Sequence, residues 1–420
     1  MIRPLDLGAT QFTGLAGGYG GAAAVRALAH AQLSKHLLLI KFVVATWTGD
    51  PEPRDRAVDV LTRAQSAAPE VVADLLTDPL VGAWLARTTR RLRGAARSAT
   101  PLDAECNHLS TVAAAAAALA GIDADLIGQP IDGGLALPRL GRVTVDRPGH
   151  PPVAVTVRAG RVDVAGASGW APVRRLTATT AGQRLDVVLD DLDPYRGGHH
   201  APPADRLGEA DVRRWQEVFA AGWALIAAHD PDRAGELAAG LRTLVPLARL
   251  DAHSARSATI RDAFGAFGLT RPATAAEFAV MLVHEFQHSK LSGVLDLRRL
   301  TDPGAAELHF APWRTDPRPV GGLFQGVYAF LGIAQLWARL AGVPGLPAQP
   351  EFALAREQVR WGLDSLAGSA ALTADGRRFA AGMRAALDEL AAVPVPAETA
   401  REAEEKVREV HAGWQERLRS

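Results

Sequence analysis

The sequence predicts an α+β fold that is predominantly helical. It has a helical N-terminal region over residues 1–130, a small antiparallel β module over 131–200, and a helical C-terminal region over 201–420 built around a zincin-like HExxH helix. Three observations predict it. Apolar residues recur at three and four along 22–44, 69–92 and 109–121; the pattern changes to short β-branched runs between 131 and 196; and helical recurrence resumes from 205. At 420 residues the chain is long enough to bury a core and a site.

In the first region, Gly, Pro and Asp-Pro pairs punctuate the helical runs, and 112–120 is entirely small or aliphatic, which suits a buried helix. In the second, 142–145, 153–157 and 185–189 read as strands separated by turn pieces such as Ala159-Gly160 and Ala181-Gly182. Asp190, Asp191 and Asp193 before Pro194 read as a strand-end turn, and His199-His200 as an exposed loop. In the third, Thr274 with Glu277 three residues on makes a capping box ahead of an apolar run, so a helix through residues 284–288 is expected. A charged helix over 398–419 follows a Val-Pro-Val-Pro break.

Composition limits the function classes. Lys+Arg 46 against Asp+Glu 46 leaves no whole-chain field to draw the protein to nucleic acid or an anionic membrane, so neither is an expected partner. The single cysteine, Cys106, excludes a thiolate-rich metal site. No apolar segment follows a basic start within residues 1–12, and the greasy run 28–47 is interrupted by Lys35, His36 and Lys41; a cytoplasmic location is expected. The arginine run Arg87, Arg90, Arg91, Arg93, Arg97 reads as a solvated helix face rather than a leader-peptide site.

The chemistry concentrates at His284-Glu285-Phe286-Gln287-His288. On a helix, i and i+4 put both imidazoles on one face, one turn apart, where both reach a single divalent ion, with the glutamate beside it. A zinc peptidase would use Glu285 as general base on a zinc-activated water. The metzincin continuation is absent, since Ser289-Lys290-Leu291-Ser292-Gly293-Val294 follows, and the nearest downstream glutamate, Glu307, sits between Asp302-Pro303-Gly304 and a Pro-rich loop. Two histidines and one carboxylate with open positions are also the ligand set of a non-haem Fe(II) oxygenase. One using 2-oxoglutarate needs a cation for the distal carboxylate, and Arg314 and Arg318, rigidified by Pro312, Pro317 and Pro319, are the candidates. Small residues Gly321, Gly322 and Gly326 would let a following helix approach the HExxH helix, presenting Gln325 and Tyr328 on one face.

With these residues in view the chain resembles the HExxH proteins of bacterial ribosomal-peptide gene clusters, 2-oxoglutarate-dependent peptide β-hydroxylases found alone or fused to radical-SAM maturases. The likeness covers residues 29–39, Pro79-Leu80-Val81-Gly82-Ala83-Trp84, 135–141, 190–196 and the block from Trp313-Arg314 to Gly326-Val327-Tyr328. It implies Fe(II) held by His284 and His288, 2-oxoglutarate chelating the metal and clamped by Arg318, and decarboxylation to succinate coupled to hydroxylation of a precursor-peptide side chain. A radical-SAM maturase is an implied partner. Glu285 would then orient water or a ligand, with Tyr328 beside it. The third metal ligand stays open among Gln325, His309, Asp296 and Glu307. A zinc peptidase of peptide maturation and a catalytically silent leader-peptide scaffold are the alternatives.

Overall fold

The computed structural model describes residues 7–146, 151–198, 201–249 and 256–419; His199 and His200 lie outside them. The fold is α+β and predominantly helical, with thirteen helices and small sheets among the described residues. The first six helices are α1 (Ala9–Ala16), α2 (Gly21–Thr46), α3 (Pro51–Ala67), α4 (Pro69–Leu76), α5 (Pro79–Leu92) and α6 (Leu102–Ala120). Punctuation starts them as expected: Asp50 and Asp78 accept from Glu52 N and Leu80 N, each with proline at the first helical position. The small-residue stretch of α6 is fully buried from Val112 to Ala117.

Eight strands follow: β1 (Ala124–Gly128), β2 (Gly134–Leu137), β3 (Gly141–Val145), β4 (Val153–Arg158), β5 (Arg161–Val164), β6 (Ala167–Pro172), β7 (Arg174–Thr180) and β8 (Gln183–Leu189). β1 begins inside the stretch expected to be helical. Two three-stranded antiparallel sheets, β1-β4-β5 and β2-β3-β6, pack with α2–α6 into one hydrophobic core.

The remaining elements are α7 (Glu209–His229), α8 (Pro231–Gly240), β9 (Thr243–Pro246), β10 (Ser257–Thr259), β11 (Ala266–Leu269), α9 (Ala275–Leu297), β12 (Leu308–Ala311), β13 (Arg314–Pro319), α10 (Val320–Leu340), α11 (Ala348–Ala367), α12 (Ala374–Ala391) and α13 (Ala397–Arg419). The helical pattern expected here is thus interrupted by five strands. Sheet pairing also crosses the expected boundary at 200: β7 and β8 leave the antiparallel module and join a five-stranded sheet, β10-β11-β9-β8-β7, through the parallel pair Val188↔Thr243. The α7–α8 connection supplies the crossover that a parallel pair needs. The second core lies between this sheet, α9 and α10, and it takes in Phe12 and Leu15 of the first helix.

α9 is therefore central. Val25 and Phe286 meet over Gly240, where a Cβ would stand 2.4 Å from Val25 and 2.9 Å from Phe286. Beneath it lies a buried ionic cluster in which Glu236 accepts from Lys290 (2.6 Å) and Arg233 (3.1 Å), while both cations also donate to the Gly18 carbonyl (2.9 and 2.7 Å). Fully buried charges are costly unless paired in this way. Arg233 donates further to Gln287 and Gln335, and Gln287 to the Tyr328 carbonyl, fastening α9 to α10.

Candidate metal centre

The cap of α9 sets the phase of the site: Thr274 Oγ1 accepts from Glu277 N at 3.2 Å, and the Glu277 carboxylate returns to Ala273 N at 2.8 Å, one residue before the expected partner. Ten residues later His284 and His288 emerge on one face, with their Nε2 atoms 3.1 Å apart. His288 Nδ1 lies 3.0 Å from Gln325 Oε1. An amide oxygen only accepts, so His288 donates through Nδ1, which is the tautomer that leaves Nε2 to a metal. Burial, and then the nearness of His288, pull the His284 pKa down to about 3, so this ring is neutral as a metal ligand must be. A separation of 3.1 Å is one that a single ion, bonded at about 2.0–2.1 Å to each nitrogen, can bridge.

Both rings open into a cavity of about 470 Å³. Its other walls are the edge strand β10, Arg261, which pairs with Asp296, and Glu285, Ser292, Arg314, Arg318 and Gln325. Glu285 is 2% exposed, its Oε1 is 3.9 Å from His284 Nε2, and its Oε2 accepts from Thr259 Oγ1 at 2.6 Å. Arg314 Nε donates to Asp316 at 2.5 Å, and this bond holds the Asp316 carboxyl below its usual range. The neighbouring Arg318 has its Nε buried without a hydrogen-bond partner.

Several expected roles are corrected. The Tyr328 hydroxyl donates to the Leu15 carbonyl at 2.8 Å and its ring packs on Phe379, so it points into the core rather than at the metal. Asp296 is occupied by Lys35 (2.9 Å), Gln32 (3.1 Å) and Arg261 (3.2 Å) and is not part of the cavity wall. His309, on β12, faces Glu307 at 3.3 Å, and Glu307 accepts from Ser369 at 2.7 Å; neither lines the cavity. Gln325 is in place, but its oxygen holds the far nitrogen of His288, which makes it an orienting partner rather than a ligand. Among the described residues no three His, Cys, Asp or Glu side chains converge on a point. The glycines at 321–326 are also not the ones that face α9. Gly332 meets Gln287, while Gly326 leaves room for Trp313.

Three contributors escaped the sequence reading. Thr259 fixes Glu285, Phe330 stands edge-on to His284 (ring centroids 5.7 Å apart), and Trp313 stacks on Phe330 at 4.7 Å. Trp313 fell within a block already noted, whereas Phe330 had no local signal. Most of the arginine run is solvated as expected, with Arg90, Arg93 and Arg97 exposed; Arg87 and Arg91 flank buried Glu105, Arg90 pairs with Asp262, and Arg93 covers Phe42. The aspartates after β8 cap their turn, with Asp190 accepting from Leu192 and Asp193 N, and Asp193 from Tyr195 N. Comparison with protein-family models and with curated proteins finds no match to this chain.

Proposed function

We propose that the protein is a non-haem Fe(II), 2-oxoglutarate-dependent dioxygenase that hydroxylates the β-carbon of a side chain in a ribosomally made precursor peptide. Arg318 is the observation that carries this reading: a guanidinium whose Nε is buried without a hydrogen-bond partner, in the cavity that the two imidazoles enter, suits a carboxylate arriving from outside. His284 and His288 would hold the metal through Nε2. When bound, iron and 2-oxoglutarate supply oxygen activation: one atom of O₂ enters the substrate C–H bond, the other enters succinate, and CO₂ leaves.

The chain's own residues prepare that event. Gln325 keeps the lone pair of His288 turned inward, and Asp316 occupies Arg314, leaving Arg318 to receive the distal carboxylate. Thr259 holds the Glu285 carboxylate in one orientation, as an acceptor for water or a ligand beside the metal. β10 is the last strand of its sheet and lines the cavity, so its backbone would pair with an extended peptide. A radical-SAM maturase acting on the same peptide is the partner this reading implies.

The test is anaerobic reconstitution with Fe(II), followed by 2-oxoglutarate, oxygen and a precursor peptide encoded beside the gene. A one-oxygen mass gain with stoichiometric succinate is expected. Peptide cleavage with zinc and without 2-oxoglutarate would replace the reading by a metallopeptidase, and binding without product by a scaffold.

A further inference from the structure

A second and larger cavity, about 750 Å³, lies next to the metal centre. Its floor is the same face of α9, because Ala276 and Val280 precede His284 and His288 at four-residue steps. Phe330 belongs to both places, edge-on to His284 and lining the second cavity. The remaining walls are α10, α11 and the loop between them, largely apolar and including Ile333, Trp337, Leu346 and Leu354, with Gln358 a polar member. Glu277 and Glu351, both exposed, are the charged residues of its lining. The site end of this face is cationic, with Arg314 and Arg318; the far end is acidic.

We infer that this cavity is the specificity pocket of the enzyme, receiving bulky apolar side chains of the peptide substrate from a neutral or basic segment beside the residue that reacts. It rests on the peptide-substrate reading above. The occupant's chemistry follows from the walls: apolar side chains bury against Val280, Phe330 and Leu354, and the carboxylates at the mouth repel an acidic segment and attract a basic one. The spacing follows from helix geometry. Val280 and Ala276 lie about 6 and 12 Å from His284 along α9, and an extended peptide advances about 3.3 Å per residue. The apolar side chains therefore belong about two to four residues from the hydroxylated one.

A positional-scanning library of fluorescein-labelled decapeptides, titrated by anisotropy into the metal-free full-length protein, tests this. The expected result is a preference of tenfold or more for Phe, Trp, Leu or Met over Ala at one or two positions, and for Lys over Asp beside them. Leu354→Arg and Ala276→Trp, at half-buried wall positions, should level the apolar preference to within threefold while retaining the wild-type circular dichroism, and Leu354→Met should keep it. A preference undiminished in both blocking variants, no apolar preference, or no library peptide binding tighter than millimolar would overturn the pocket assignment. The two readings fail separately: succinate and a mass gain without apolar preference sinks the pocket alone. A preference lost in Leu354→Arg, from a protein that makes no succinate, sinks the oxygenase and leaves a peptide-binding pocket.

Discussion

His284 and His288 share a helix face but are steadied by different physics. His288 is oriented by a hydrogen bond to Gln325, and His284 by the edge of Phe330, itself clamped by Trp313. Gln325→Leu removes the acceptor on Nδ1 without opening the core, and Fe(II) or Co(II) affinity should fall about 10–100-fold in an anaerobic titration. An unchanged affinity would show that the ring is held by packing alone. Arg318→Gln should leave metal affinity as it was and raise the KM for 2-oxoglutarate by about 10–100-fold, the scale of a charge-assisted hydrogen bond; a metallopeptidase would be indifferent to it. At this scale the imidazole pair was legible because i,i+4 spacing is local geometry. Tyr328 was not, because its hydroxyl is claimed by Leu15, 313 residues away, and no helical phase announces that.

The clamp on His284 depends on how closely elements approach. A Cβ on Gly326 would stand 2.0 Å from Trp313 Cζ2, so Gly326→Ala must drive the indole off Phe330. The variant should lose about 1–3 kcal/mol in urea unfolding and also weaken metal binding, whereas Gly342→Ala, with open space around it, should do neither. Element types were largely readable, since Asp-Pro starts, Gly-bearing turns and β-branched runs act within a few residues. β9, β11, β12 and β13 were missed because they are four to six residues each, too short for a period to declare itself. Their placement is decided by partners elsewhere in the chain.

For the molecule as a whole, sheet pairing crosses the expected boundary at residue 200, since β8 finds its neighbour in β9 across two helices. Next to that seam, Asp78, Asp190 and Asp193 are buried together. Burial, and then the charge of Asp190, push the Asp193 carboxyl up to about 8. A carboxyl raised in the folded state holds its proton there after the unfolded chain has released it. Its contribution to stability is therefore complete below the ordinary value of 3.8 and is lost as pH rises towards 8. Asp193→Asn keeps an oxygen for Tyr195 N and cannot ionise. Its stability relative to wild type should grow between pH 4 and 8, by up to about 1.4 kcal/mol per pH unit, as read from urea midpoints; a constant difference would mean that Asp193 ionises normally.

The carbonyl of Gly18, which receives both Lys290 and Arg233, also sets a timetable for the newborn chain. Lys290 follows it by 272 residues. At about 5–20 residues per second, a ribosome needs on the order of 15–55 s to deliver that lysine after the glycine has been made. For that interval the ionic cluster beside the first helix lacks its lysine, and the helix that carries His284 and His288 is not yet complete. The proposed centre can thus form only after most of the scaffold that precedes it in the chain has been made.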